Sequence, residues 1–199
     1  VSILSFTGCG EKYTMEKKEG VTLVKNEGGA TLGYSPTSGV QIIAKDRYAF
    51  KDLNKNGMVD PYEDWRLPVN ARAKDLAQKM SLEDIAGLML YSSHQSLPGR
   101  SRGFGSSTYN GKPFAESGAL ASDLSDEQKK FLKDDHLRHV LITSVESPAV
   151  AAQWNNNIQA YAEGLYLGIP VNISSDPRHG SDSYAEYNAG AGGAISMWP

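Results

Sequence analysis

Two stretches of this sequence carry side chains whose types and spacing suit chemistry. The first is Gly168-Ile-Pro-Val-Asn-Ile-Ser-Ser-Asp-Pro-Arg-His-Gly180. An apolar strand over residues 169–173 runs into a polar turn that carries Asp176, Arg178 and His179. In α/β proteins, ligands and reacting groups collect where strands end and loops begin. Asp176 is the leading candidate for ligand contact: a carboxylate at a strand end accepts two hydroxyl hydrogen bonds from a sugar, and charge-assisted bonds are the strong ones. The plainer reading is that Asp176-Pro177 only starts a turn. Arg178 either contacts the ligand or pairs with a neighbouring acid. His179 either orients Asp176 and its loop or is a satisfied structural group.

The second stretch is Asp52-Leu-Asn-Lys-Asn-Gly-Met-Val-Asp-Pro-Tyr-Glu63, which meets the calcium-loop pattern D-x-[DN]-x-[DN]-G-x5-E at every specified position. Coordination explains the spacing. Asp52, Asn54 and Asn56 supply oxygens, Gly57 permits the sharp turn, and Met58 offers its backbone carbonyl. Asp60 binds directly or through water, and Glu63 closes the shell with two oxygens. Two asparagines stand where carboxylates would raise the charge, so affinity is expected to be modest. Residues 45–51 do not read as a helix, which favours a single structural Ca2+ over a paired EF-hand. The same residues also read as a calcium-free turn rich in Asp and Asn.

Other chemistries are excluded by pattern. The sequence holds no G-x-S-x-G, no G-x-x-x-x-G-K-[ST] and no H-E-x-x-H. His94, His136, His139 and His179 show no zinc-like spacing with the one cysteine, Cys9. Gly190, Gly192 and Gly193 form a small-residue run without a dinucleotide fingerprint. A net charge of -3 argues against a nucleic-acid surface. No run of about 18 apolar residues occurs, which excludes a membrane-spanning helix. The single cysteine rules out an internal disulfide.

The elements that must position these groups follow from periodicity. Residues 22–24 and 40–44 read as short strands within a β-rich segment over 21–50. From Leu67 the period changes, and Val69, Ala73, Leu76, Ala77 and Met80 fall on one helical face. Ser81-Leu-Glu-Asp84 resembles a capping box that opens a second short helix through about Leu88. Residues 88–91 end that helix or begin a buried strand. Residues 92–123, rich in Gly and Ser, read as a long loop carrying His94, Arg100 and Arg102, either surface-exposed or substrate-facing. Ser125-Asp-Glu-Gln128 caps a helix to about His136, and residues 139–143 form a strand. Ser147-Pro148 starts a helix with a buried stripe of Val150, Trp154, Ile158, Tyr161, Ala162 and Leu165. Gly168 suits its left-handed stop. This strand–helix–strand unit has the size of a crossover between parallel strands, and residues 194–197 read as a further strand.

Three pieces, in order, resemble one known family. Asp64-Trp-Arg-Leu-Pro-Val-Asn-Ala-Arg72 and Leu76-Ala-Gln-Lys-Met-Ser-Leu-Glu-Asp-Ile-Ala-Gly87 resemble the opening of glycoside hydrolase family 3, P-V-x-x-R-v-x-D-L-l-x-x-M-T-l-e-E-K-i-G. Gly168-Ile-Pro170 followed by Asp176-Pro-Arg-His-Gly180 is similar to its G-I-P…D-x-x-H-G. Residues 190–199 are similar to a segment ending in an aromatic-Pro pair. The resemblance covers roughly residues 45–199, and Ile85 stands where the family usually has Lys. It implies an α/β fold, namely the opening portion of a (β/α)8 TIM-like barrel, preceded by the β-rich segment and the calcium-like loop. A full barrel takes about 250 residues, more than the whole chain supplies. The implied activity is exo-acting hydrolysis of terminal β-linked sugars with retention, on an oligosaccharide or β-glucoside, with no cofactor for the chemistry. Asp176 would bind sugar hydroxyls in the −1 subsite. The family's nucleophile, acid/base and Lys-His pair come later in its sequence, so no catalytic residue is assigned here and this polypeptide alone is expected to be inactive.

The first residues, Val1-Ser-Ile-Leu-Ser-Phe-Thr-Gly-Cys9, resemble a bacterial lipobox, with Phe6 where Leu is preferred. Residues 1–8 would then be processing signal, Cys9 the lipidated anchor, and residues 11–19 a solvated tether. The implied location is the bacterial cell envelope, as a periplasmic or outer-membrane lipoprotein. The plainer reading of Cys9 is an incidental buried cysteine. The resulting organisation is 1–20 signal and tether, 21–50 β-rich segment, and 51–199 incomplete barrel. Two other functions compete: a non-catalytic calcium-stabilised surface module that binds glycan or a partner, and a barrel enzyme of different chemistry that shares the Asp176 loop by chance.

Overall fold

A computed structural model describes residues 10–99 and 107–174 of the chain. They divide into two compact units: residues 10–81 with 160–169, and residues 82–159 with 170–174.

The first unit opens with an antiparallel three-stranded meander, β1 (Tyr13–Lys18), β2 (Val21–Asn26) and β3 (Thr31–Tyr34), in that order. The expected tether over 11–19 is thus largely a strand. Its Tyr13 and Met15 pair with Asn26 and Val24, so β2 satisfies a backbone that composition alone marks as solvated. A hairpin follows, β4 (Gln41–Lys45) and β5 (Tyr48–Asp52), turned by Asp46 and Arg47 at φ 53° and 73°. Positive φ at both central residues is the geometry that matches strand twist in two-residue turns. β3 and β5 escaped the sequence reading because Gly33, Lys51 and Asp52 interrupt the apolar pattern.

Asn26 joins the meander to the hairpin. Its amide donates to the Ala30 and Ala49 carbonyls, and its Oδ1 accepts from the Ala49 N–H at 2.7 Å. Val24, Ala49 and Phe50 are fully buried. The Trp65 ring stacks on Phe50 at 5.6 Å and donates Nε1–H to the Ala49 carbonyl. Trp65 also covers Gly29 so closely that a Cβ there would lie 2.2 Å from Cη2. Arg66 holds Asp64 through two bonds, Nε to Oδ1 at 2.9 Å and Nη2 to Oδ2 at 2.7 Å, and its guanidinium lies over Phe50. Helix α1 (Val69–Lys79) follows, as its period predicts. Its apolar stripe is not a core face, however: no residue of α1 is buried, and Val69 is 74% exposed.

The second unit is built on parallel pairing. Helix α2 (Leu82–Leu88) leads to β6 (Tyr91–Leu97), which settles residues 88–91 as a helix end followed by a strand. Asp84 is buried, and its Oδ1 lies 2.6 Å from His136 Nδ1. The stretch read as a loop from Ser92 therefore begins with six strand residues; Ser and His hid them, since Tyr-Ser-Ser-His-Gln-Ser-Leu lacks apolar alternation. A single turn, α3 (Phe114–Ser117), and α4 (Asp126–Lys133) follow. The Ser125/Gln128 capping box is present as expected. Next come β7 (His139–Val145), α5 (Pro148–Gly164) and β8 (Asn172–Ser174).

β7 lies between β6 and β8, parallel to both. Val140 and Ile142 of β7, with Leu132, Trp154 and Ile158, form the buried centre of this unit. Trp154 Nε1 donates to Gln128 Oε1, which also accepts from the Ser125 N–H. The strand expected over 169–173 is shorter and later, because Gly168 takes φ 58° and Pro170 has no N–H to give a ladder. Among the described residues, no helix is long and apolar enough to cross a membrane.

Candidate functional site

The parallel sheet aligns the C-terminal ends of β6 and β7, with Leu97 opposite Val145. β8 runs beside β7 from Asn172, opposite His139, to Ser174, opposite Leu141. Asp176 follows Ser174 by two residues in the chain, so the sequence delivers it from the third strand of a parallel sheet. Asp176, Arg178 and His179 themselves lie outside the described residues. So do Cys9, Arg100, Arg102 and the strand expected at 194–197. His94, assigned to a loop by sequence, belongs to β6.

The loop 52–63 is described in full. β5 ends at Asp52, and positive φ at Lys55 (60°) and Gly57 (78°) turns the chain back. Asp52 is buried and accepts backbone N–H bonds from Asn56 (3.0 Å) and Gly57 (2.9 Å). Glu63, also buried, accepts from Leu53 N–H through Oε1 at 2.7 Å and from Asp60 N–H through Oε2 at 2.9 Å. The Asn54 and Asn56 amides both donate to Asp60 Oδ2, at 2.6 and 2.7 Å. The loop thus gathers Asp52, Asn54, Asn56, Asp60 and Glu63 into one hydrogen-bonded cluster. Met58 contributes backbone only; its side chain is exposed and its N–H bonds Asn56 Oδ1.

Electrostatics divide the acids of this loop. Burial pushes the Asp60 carboxyl up, but hydrogen bonds from Asn54, Lys79 and Asn56 outweigh it and leave the pKa below its ordinary value. For Glu63, burial dominates its backbone hydrogen bonds and the pKa is raised. Lys79 Nζ lies 2.9 Å from Asp75 Oδ1 and 3.1 Å from Asp60 Oδ1, and these contacts raise its pKa. Lys79 was missed in the sequence, although its i,i+4 spacing from Asp75 was a signal for the first of these pairs. Tyr62 was missed as well. Its hydroxyl is buried beside Glu63, and burial, then Glu63, Asp60 and Asp52, raise its pKa and hold the phenol protonated.

Among the described residues, no three His, Cys, Asp or Glu side chains come together as a metal-holding group. The three carboxylates expected to hold calcium, Asp52, Asp60 and Glu63, are among those residues and do not form such a group; with Asn54, Asn56 and the Met58 carbonyl they make up the set expected from the sequence. These are hard oxygen donors, the type Ca2+ takes. No nucleophile paired with a base accompanies them.

No family model matches the chain. The chain is 36% identical over 164 residues to a periplasmic beta-glucosidase/beta-xylosidase of Dickeya chrysanthemi, a match covering 82% of this chain and 22% of that protein. It is 32% identical to beta-glucosidase C of Emericella nidulans, over 74% of this chain and 21% of that protein. A probable beta-glucosidase C of Aspergillus oryzae matches at 27% identity over 81% of this chain. The chain belongs to a β-glucosidase-like family. It spans about a fifth of the length of these curated relatives. The matches take in most of this β-glucosidase-like chain, so they extend well beyond any one of its short motifs.

Proposed function

We propose that this chain is part of a retaining, exo-acting β-glycosidase that removes terminal β-linked sugars from β-glucosides or oligosaccharides. The observation that carries this is the 36% identity with the Dickeya beta-glucosidase/beta-xylosidase across 82% of the chain. The parallel β6-β7-β8 sheet, with α5 between its last two strands, supports a barrel opening of the glycoside hydrolase family 3 type. In this reading Asp176 follows a strand of that barrel and accepts hydrogen bonds from two sugar hydroxyls, with Arg178 and His179 beside it in sequence. Retention needs two carboxyl groups about 5–5.5 Å apart, one to attack the anomeric carbon and one to protonate the leaving oxygen. No residue of this chain is assigned to either role, and no cofactor is needed for the step. The same reading places the protein in the periplasm or at the outer membrane, anchored through a lipidated Cys9.

The test is hydrolysis of nitrophenyl β-glucoside and β-xyloside by the intact protein. Release of nitrophenol with retention is expected. Asp176→Ala is expected to lower kcat/KM by about 100-fold or more, since two charge-assisted bonds that strengthen in the transition state are lost. No release from any β-glycoside would overturn the reading and favour a non-catalytic module.

A further inference from the structure

We propose that Gln159 is a positioning residue for Asp176, a role that rests on the reading of Asp176 as the carboxylate that binds sugar hydroxyls. Its side-chain amide fixes the entry of β8, and Asp176 comes two residues after the end of β8 in the chain. Gln159 lies on α5. Its Nε2 donates to the Val171 carbonyl at 2.8 Å, and its Oε1 accepts from the Val171 N–H at 3.1 Å. One side chain thereby satisfies both backbone groups of a residue that is itself buried. A primary amide suits this task, because it carries a donor and an acceptor side by side, as the peptide unit of a neighbouring strand does.

The clamp stands where the sheet itself holds the chain least. Leu167 and Gly168 take φ 66° and 58°, so the chain leaves α5 through a left-handed turn, and Pro170 has no N–H to give a ladder. β8 is short and pairs with β7 through Asn172, Ile173 and Ser174. The Asn172 N–H donates to the Arg138 carbonyl at 2.8 Å, one residue after the clamp. The Asn172 amide lies 3.1 Å from His139 Nδ1. A slip of one residue at this entry would turn every side chain that follows to the other face of the sheet. Gln159 opposes that slip, because it bonds both groups of one particular residue. The clamp therefore sets which face the strand presents just before Asp176.

The experiment measures hydrolysis of nitrophenyl β-glucoside by the intact protein and its variants, well below each melting midpoint. Gln159→Leu keeps the bulk of the side chain and removes both donor and acceptor. Its kcat/KM is expected to fall about 10-fold to 100-fold, the effect of a small misplacement of a substrate-binding group. In the Asp176→Ala background the same substitution is expected to cost less than about twofold, because the group that it positions is gone. Gln159→Glu gives a second readout, which stands even where Gln159→Leu does not fold. A neutral carboxyl there both donates and accepts, whereas a carboxylate only accepts. The ratio of its kcat/KM to that of the parent is expected to fall tenfold or more between pH about 4.5 and about 7, as the carboxyl ionises. A kcat/KM for Gln159→Leu within about twofold of the parent would overturn the clamp. An undiminished loss in the Asp176→Ala background, or a pH-independent ratio for Gln159→Glu, would do the same. Full activity in Asp176→Ala, or a parent that hydrolyses no β-glycoside, strikes the reading of Asp176 and this role with it. A loss in Asp176→Ala beside a fully active Gln159→Leu strikes the clamp alone.

Discussion

The two units stabilise themselves by different means. In residues 10–81 with 160–169, strands are short and antiparallel, and the recurrent joints are polar: Asn26 between sheets, Asp64 with Arg66, Asp60 with Lys79, Lys51 with Glu163. In residues 82–159 with 170–174, the central strand β7 is largely apolar and the joints are packing contacts around Trp154, Leu132 and Ile158. Parallel strands cannot be joined by a tight turn, so their helices must cover the sheet, and coverage demands apolar faces. Antiparallel hairpins close locally and leave one face free for charge. The contrast sets a polar, hydrogen-bonded loop in the first unit against a packed parallel sheet in the second.

The largest expected effect tests the packing side of the contrast. Trp154→Ala removes a buried ring and leaves Gln128 Oε1 one donor short. A loss of about 3–5 kcal/mol is expected from cavity formation in chemical denaturation. A loss under ~1 kcal/mol would show that the second unit does not depend on this core. Gly29→Ala tests the first unit by crowding it, because the new methyl would meet the Trp65 ring. Overpacking of this kind costs about 1–3 kcal/mol, to be read as a shift in denaturation midpoint with loss of Trp65 fluorescence polarisation.

Acid titration separates the two kinds of carboxylate within the first unit. Arg66 holds the Asp64 carboxyl below its ordinary value. A depressed folded pKa gives stability that is present above the unfolded value and is lost as pH falls through the folded one. Asp64 therefore contributes from neutral pH down to about 4 and weakens below that. Glu63 has the opposite sign: its folded pKa is raised, so its contribution is largest below the unfolded value and is lost as pH rises through the folded one. Stability is expected to rise as pH falls through the raised pKa of Glu63, and to fall again once Asp64 protonates, below about 4. Glu63→Gln should flatten the upper slope and keep the lower, whereas Asp64→Asn should do the reverse at a cost of about 1–3 kcal/mol at neutral pH. A stability profile unchanged by both substitutions would remove the electrostatic account of this unit.

How much of this was legible in the sequence depended on the kind of signal. Capped helices were plain: Ser125/Gln128 and Ser147-Pro148 act through local hydrogen bonds that sequence spacing dictates. The turn rich in Asp and Asn over 52–63 was plain for the same reason. Strands made of polar residues were not. β1 and β6 owe their state to partners distant in sequence, β2 and β7, which override the weak preferences of Glu-Lys-Lys or Ser-Ser-His. Tertiary neighbours were likewise hidden. Nothing near Asp60 announces Lys79, and nothing near Asp84 announces His136. The stripe of α1 shows the reverse failure, where period 3.6 marks a face correctly but not what covers it.

The smallest effect probes the two-residue turn between β4 and β5. Arg47 sits at φ 73°, a conformation that costs an L-residue about 1 kcal/mol relative to glycine. Arg47→Gly relieves that cost, yet glycine gives back roughly 0.5–1 kcal/mol through the extra freedom of the unfolded chain. The side chain also bonds the Gly10 carbonyl from an exposed position, a contact of about 0.5 kcal/mol at most. These terms nearly cancel, so a change within about 0.5 kcal/mol is expected in urea unfolding. The β4–β5 turn then draws its rigidity from ladder pairing and from the Lys12 N–H to Arg47 carbonyl bond, which the substitution keeps. A loss above ~1 kcal/mol would mean that the Arg47 side chain, and not the ladder, holds the hairpin to the start of the meander, and the first unit would rest even more heavily on polar joints than its strands suggest.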